Sequence, residues 1–304
     1  MLRLPDVTLC LIVKNEAENI PRVLEHAKTF PHTLVVDTGS TDDTRLVAAR
    51  LGATVAQFDW CDNFAAARNV WLSQVSRGWI FWLDADDEID ESTALEVLDL
   101  AANAPDDVLG YVFNYRYPNG YVCDHIRLYR ADRGIRWNGR VHEHLDFRDS
   151  GTGRLLSSNL EVRHVGFPQY DPEALEARSR RNNRLLELEL ADDPNRAIVI
   201  QYIAMDHQAH GRHKAALKWF ERALRHADPA KDFTWLPDMY VNMARSYTRS
   251  GKPWKAKQIL NEGMRVFPKI MPIFIQRHLD LKTPDGRTAE DIGRSRRELL
   301  RGLS

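Results

Sequence analysis

With 304 residues, 43% of them hydrophobic and 28% charged, the chain has the bulk properties of a soluble globular protein of two domains. Its three cysteines, Cys10, Cys61 and Cys123, are odd in number and lack paired spacing. That argues against a disulfide framework or a zinc site and for a reducing compartment.

The net charge of −1 conceals an asymmetry: residues 1–165 carry 17 Lys/Arg against 25 Asp/Glu, and residues 166–304 carry 25 against 18. An acidic half suited to a metal is joined to a basic half suited to an anionic partner. The apolar stretch in MLRLPDVTLCLIVKNE is too short and too broken for a signal peptide. No segment approaches the roughly 18 apolar residues of a spanning helix, so a cytoplasmic protein without a membrane span is expected.

In chain order, Val7–Val13 is apolar and strand-like, 16–29 has helical spacing, and 33–36 is a short β-branched strand. Residues 41–51 read as a helix, 53–58 as a strand, 63–75 as a helix and 79–83 as a strand. Apolar strands alternating with helices predict a parallel sheet covered on both faces. Beyond residue 87 the pattern changes. Segments 108–117 and 121–129 flank Pro118-Asn119-Gly120, a hairpin signal, and further short strands are expected in 135–147 and 160–165. The sheet is therefore expected to be mixed, parallel first and antiparallel afterwards.

From about Pro168 onward the pattern is helical. Gly211 precedes Ala216 by five residues, as Gly251 precedes Ala256, and each glycine follows a helix bearing an aromatic: Tyr202 in the first case, Tyr240 and Tyr247 in the second. The 40-residue offset exceeds the 34 of tetratricopeptide repeats, with 228–235 as the insertion. Two repeats with flanking helices predict a short solenoid or a helical bundle.

The most informative segment is WIFWLDADDEID, residues 79–90, where an apolar strand stops at Asp84, Ala85, Asp86 and Asp87. A buried parallel strand ending in acids brings negative charge to the carboxyl edge of a sheet, where α/β folds bind ligands. Hard oxygen donors there suit Mg²⁺ or Mn²⁺ shared with substrate phosphates; the acids could equally solvate the strand end and cap a helix starting near Ser92. Two other strand ends reach the same edge, with Lys14-Asn15-Glu16 and with Asp37-Thr38-Gly39-Ser40-Thr41-Asp42-Asp43. The second turn suits a base or ribose, and its Ser40–Asp43 run also suits a helix N-cap. Neither GxxxxGK[ST] nor GxGxxG occurs, which removes P-loop ATPases and dinucleotide dehydrogenases.

The ordered motifs LCLIVKNEAENI, VVDTGSTDDT, DNFAAARN and WIFWLDADDEID resemble a family-2 glycosyltransferase with the GT-A fold, over roughly residues 5–167. The helical repeats resemble the subgroup that includes bacterial peptide S-glycosyltransferases. The resemblance implies an α/β fold: a Rossmann-like mixed sheet flanked by helices in a catalytic domain over 1–167, and an all-α TPR-like domain over 168–304. It further implies a nucleotide-sugar donor, UDP-linked, and Mn²⁺ or Mg²⁺ as cofactor. Asn15 and Glu16 would lie near the base, Asp37, Gly39 and Ser40 at the base or ribose, and Arg68 near the diphosphate. Asp84 and Ala85 would stand on the nucleotide side. Asp86, with Asp84, would contact the metal; His164 of VRHVGF would complete that site; Asp87 would be the outer, helix-capping acid. The acidic catalytic motif would fall at Trp137–His144, with Glu143 as the base, although His142 leaves open which of the two takes the proton. Inversion of the anomeric centre is implied.

The chemistry agrees. A departing nucleoside diphosphate needs its charge neutralised, and an acceptor hydroxyl or thiol needs a carboxylate or imidazole within about 3 Å to remove its proton. Paired acids also suit a glycoside hydrolase, but a hydrolase has no use for the Asp37 turn. Metal-dependent phosphoryl transfer lacks a phosphate-cradling loop. The helical half is expected to meet a macromolecular acceptor, protein, peptide or glycan, or to form a homodimer. Its basic clusters, Arg178-Ser-Arg-Arg, Arg294-Ser-Arg-Arg and Arg301, would also suit nucleic acid carrying a hydroxylated base. A repeat scaffold with a decayed transferase domain is the non-enzymatic alternative.

Overall fold

The computed structural model describes residues 6–118, 120–166, 172–232, 235–269 and 271–272. The chain divides into two compact units, Met1–Asp171 and Pro172–Ser304.

In the first unit, β1 (Val7–Val13) pairs in parallel with β2 (His32–Asp37) and β4 (Trp79–Trp82), and β2 with β3 (Thr54–Gln57). These strands are apolar on both faces because both faces are covered. Val7, Leu9, Leu11 and Val13 pack into one core with Phe30, Phe81 and Phe113. Cys10, Leu34, Val36, Ile80 and Trp82 face a second core with Trp71 and Trp137.

The expected helix over 16–29 is broken. α1 spans only Ile20–Val23, and a 3-10 turn covers Ala27–Thr29. The backbone shifts to three-residue hydrogen bonds (Ala27 to Leu24, Phe30 to Ala27), a spacing that still buries Ile20, Val23, Leu24, Ala27 and Phe30. α2 (Thr44–Arg50), α3 (Phe64–Gln74) and α4 (Glu91–Ala102) complete the helices of this unit. Asn63 caps α3 by accepting from the Ala66 amide, and Asp90 caps α4 by accepting from the Thr93 amide.

A two-residue strand, β5 (Asp87–Glu88), follows the acids. β6 (Val108–Arg116) and β7 (Val122–Arg130) form the expected antiparallel hairpin, and β7 joins β4. β8 (Arg136–Asn138) and β9 (His144–Asp146) pair only with each other. β10 (Arg154–His164) is far longer than expected and lies parallel to β6. The sheet order is β3-β2-β1-β4-β7-β6-β10-β5. The antiparallel half thus regains a parallel pair, because the β8–β9 excursion lets the chain cross back and run β10 alongside β6. The carboxyl ends of β1, β2, β4, β6 and β10 consequently share one edge.

The second unit holds α5 (Pro172–Asp192), α6 (Ala197–Ala209), α7 (His213–His226), α8 (Leu236–Arg249) and α9 (Pro253–Val266). Gly211 and Gly251 close α6 and α8 at φ +70° and +75°, and Lys252 and Arg212 donate back to Tyr247 and His207 in the same pattern. Ala216 and Ala256 sit buried at equivalent places in α7 and α9, as the 40-residue offset predicts. Gln208 ties the repeats by donating to the Asn242 carbonyl and the Ser246 hydroxyl. No helix among the described residues is long and apolar enough to cross a membrane.

Candidate active site

The turns after β1 and β2 are built against each other. Asn15, at φ +55°, receives the Thr41 amide on Oδ1 at 2.8 Å, and its own amide donates to Ser40 Oγ. The Glu16 amide donates to Thr44 Oγ1 at 2.7 Å, and burial raises the affinity of the Glu16 carboxylate for its proton. Asp37 is 2% exposed and accepts from the Gly39 and Ser40 amides, with Arg45 3.9 Å away. Gly39 adopts φ +103°, which excludes a side chain there on conformational grounds. The Asp37 and Asn15 side chains therefore shape this wall by bonding its backbone. The Ser40–Asp43 run caps α2 through one of its members: Asp42 accepts from the Thr44 amide, and Asp43, at the N-cap position, makes no side-chain capping bond.

At the end of β4 the three acids diverge. Asp84 Oδ1 accepts from Arg68 Nη2 at 2.8 Å. Burial opposes ionisation of Asp84, but Arg68 and then Arg127 outweigh it and hold its carboxyl below the usual range. The Ala85 carbonyl accepts from Arg22 Nη2 at 3.3 Å. Asp87 was expected to be the outer, helix-capping acid, and the fold corrects this. It is fully buried, accepts from Arg127 Nη1 (2.8 Å), the Asp84 amide (2.9 Å) and the Tyr115 hydroxyl (2.7 Å), and leaves capping to Asp90. A carboxylate beneath the turn can be buried because a cation and two further donors meet it there.

Asp86 keeps a side chain 37% exposed. Its nearest basic group is His164 Nδ1 at 3.6 Å, and burial, with the negative charge of Asp84 next, pushes its pKa up to about 6. Asp86, Asp87 and His164 lie close enough together to hold one ion. The oxygens of Asp87 already serve Arg127, Asp84 and Tyr115, so Asp86 and His164 are the members with capacity left. A carboxylate oxygen and an imidazole nitrogen fit Mn²⁺ or Mg²⁺ completed by phosphate oxygens and water. Asp84, expected in the same metal set, lies outside this group; Arg68 claims it. Gly166 makes room for Asp86, since a Cβ there would stand 2.3 Å from Asp86 Oδ2.

Arg68, expected close to the diphosphate, is held inside the protein. It is 5% exposed, its guanidinium lies over the rings of Trp71, Trp82 and Trp137, and Nε donates to Glu143 Oε1 at 2.7 Å. The rigid fork thus staples Asp84 to Glu143, with Nη1 buried and unpartnered among the described residues. Neighbouring Asn69 accepts the Trp137 amide and donates to the Trp137 carbonyl, both at 2.9 Å, fixing β8 to α3. The AAARN motif is explained by this pair of side chains. The Glu143 side chain is 13% exposed. His142, which precedes it, is exposed and held at φ +53°, a conformation costing a non-glycine residue about 1 kcal/mol.

Arg127 and Tyr115 were not foreseen from sequence. Arg127 is fully buried between Trp82 (3.7 Å) and Tyr115 (4.4 Å) and supplies the counter-charge beneath the acids. The available signal was electrostatic: three clustered carboxylates at a strand end need a cation, but Arg127 sits at a bulge where Leu128 opposes Tyr111 and Ile126 opposes Val112, so strand alternation does not place it.

The family model described as Glycosyl transferase family 2 matches residues 8–166. A TPR repeat-containing protein of Synechococcus elongatus is 32% identical over 235 residues, covering 73% of this chain and 57% of its own. The SPbeta prophage-derived glycosyltransferase SunS of Bacillus subtilis is 25% identical over 197 residues, 62% of this chain and 46% of SunS. The chain spans about half the length of these curated relatives. Among solved structures, S. aureus TarS 1–349 aligns with 98% of this chain and 92% of its own at 15% identity and a TM-score of 0.46. Glucosyl-3-phosphoglycerate synthase from Mycobacterium tuberculosis, in complex with Mn²⁺, UDP and glucosyl-3-phosphoglycerate, aligns with 38% of this chain and 45% of its own at 19% identity and 0.33.

Proposed function

Because this chain belongs to glycosyl transferase family 2, matched over more than half its length, we propose that it transfers a sugar from a nucleotide-sugar, UDP-linked, to a macromolecular acceptor with inversion. The observation that carries this reading is the carboxyl edge itself, where Asp86 neighbours His164 and Arg68 joins Asp84 to Glu143.

Asp86 and His164 are the residues that would hold Mn²⁺ or Mg²⁺, and the ion would lend the leaving diphosphate the positive charge it needs. Glu143 Oε2 takes the acceptor proton while Arg68 fixes Oε1. The acceptor oxygen or sulfur bonds to the anomeric carbon from the face opposite the diphosphate. The bond from that carbon to the β-phosphate oxygen breaks, and the nucleoside diphosphate leaves with the electron pair. One displacement inverts the centre. The turns after β1 and β2 form the nucleotide-side wall, their amides and hydroxyls ordered by Asn15 and Asp37.

The helical repeats give the second unit the architecture of a protein-binding surface, which supports a protein, peptide or glycan chain as acceptor. Of the basic clusters suited to nucleic acid, Arg294 and Arg301 lie outside the described residues. Arg180 pairs with Glu176, and no observation favours a duplex.

The test is a thermal-shift screen of nucleotide-sugars with and without Mn²⁺, followed by turnover of the stabilising donor. Stabilisation that needs both metal and one nucleotide is expected. Equal melting temperatures under all conditions would refute the transferase reading.

A further inference from the structure

The turn that carries the acids has three carbonyls, and each is tied down. The Asp84 carbonyl accepts from the Asp87 amide at 3.0 Å, and the Asp86 carbonyl from the Val165 amide at 2.8 Å. Both of these bonds join backbone to backbone and do not depend on side-chain identity. The Ala85 carbonyl between them is held by a side chain instead, Arg22 Nη2 of α1 at 3.3 Å.

Arg22 is the far end of a line of side chains that starts on the nucleotide-side wall. Glu16, in the turn after β1, accepts on Oε2 from Asn19 Nδ2 at 2.7 Å. Asn19 Oδ1 in turn accepts from the same Arg22 Nη2 at 3.1 Å. One nitrogen with two hydrogens thus bonds toward both turns, a geometry that the planar guanidinium supplies and keeps rigid. The stability of α1 does not account for this residue. The helix has four residues, and Ile20 and Val23 already anchor it in the core that includes Ala85. Arg22 Nη1 is buried with no partner among the described residues. A buried donor left unpaired costs free energy, so an apolar side chain would seal the helix better.

We propose that Arg22 is a positioning residue for nucleotide and cation together: through Asn19 it acts as a strut that sets the acid turn against the Asn15–Glu16 turn. Without it the Ala85 peptide is free to rotate, and Asp86, the next residue, moves with that peptide. The inference rests on the reading of the carboxyl edge as a nucleotide–metal site and adds to it a residue that acts through the backbone of others.

The test is calorimetric titration of UDP into the full chain in excess MnCl₂, with melting temperatures measured alongside. R22M keeps the apolar stem and removes the fork. Its UDP affinity should fall about tenfold, as is typical when an outer partner that orients a ligand is lost, with the melting temperature unchanged or higher. R22K returns a donor on a similar stem and should recover part of the loss. N19A should weaken UDP severalfold, and N19A added to R22M should weaken it no further, because one strut is then cut twice. Unchanged UDP affinity in R22M, no recovery in R22K, or losses in N19A and R22M that simply add would each overturn the inference alone. A melting temperature that falls in step with affinity would do the same, by making Arg22 a stabiliser of the fold. Should R22M fail to fold, R22K and N19A carry the test. A wild-type protein that binds no UDP in MnCl₂ contradicts the reading of the site and removes the inference with it.

Discussion

Asp84 and Asp86 stand two residues apart on one turn, yet their surroundings differ in kind. Asp84 meets a buried guanidinium at 2.8 Å and is held ionised against burial. Among the described residues the nearest basic neighbour of Asp86 is His164, at 3.6 Å, and the Asp86 pKa is pushed up to about 6. One carboxylate is neutralised by the protein's own cation and tied to Glu143; the other, in the proposed reading, meets a divalent ion. In that reading a sequence motif of two like residues carries one structural and one binding group. The side chains from α3 and β10 decide which is which.

The contrast predicts different failures on the two sides. The largest effect is expected on the Glu143 side, where E143Q should lower turnover about 10²- to 10⁴-fold while leaving Mn²⁺-dependent donor binding intact. H142A compared alongside decides between the two candidate bases: a loss confined to H142A would move the role to His142. Next comes R68A, which strands two partly buried carboxylates. It should reduce unfolding stability by about 3–5 kcal/mol in a urea titration, whereas D86N should cost little or nothing. Similar losses in the two variants would erase the distinction.

A smaller effect is expected from G166A, which forces Asp86 aside because the new Cβ would lie 2.3 Å from Oδ2. Mn²⁺ affinity should fall several-fold to tenfold in calorimetry with the melting temperature nearly unchanged, and unaltered affinity would remove Gly166 from the site. The smallest is a pH effect at His125. Burial, and next the Arg127 charge, depress its pKa from 6.5 to about 4, so the unfolded chain binds the extra proton between those values. Stability contributed here is present above pH 6.5 and declines as pH falls toward 4. The stability difference between wild type and H125N in urea should narrow or reverse from pH 7 to pH 4.5. A constant difference would show that His125 does not titrate this way.

Much of this was legible in the sequence because it follows local pattern. The apolar strands ending at Val13, Asp37 and Trp82, the glycine-closed helix pairs at Gly211 and Gly251, and the acids at the sheet edge all follow from periodicity and turn chemistry. What escaped depends on distant packing. Asp87 reads as a surface acid until Arg127, 40 positions later, is brought beneath it by β7. Arg68 reads as a charge near the diphosphate, and the sequence does not announce the three tryptophans and two carboxylates that packing brings around it. The helix expected over 16–29 keeps its apolar spacing but tightens into three-residue turns, a choice periodicity alone does not distinguish. The long β10 was hidden because its exposed first turns, Arg154 and Leu155, lack the alternation that marks a strand.

The central claim is that Asp86 and His164 join nucleotide to protein through a divalent cation. The most direct test is calorimetric titration of UDP into wild type and D86A, each with Mn²⁺ and with EDTA. The account predicts UDP binding only by wild type and only with Mn²⁺. Equal UDP affinity in D86A, or in wild type with EDTA, would contradict it.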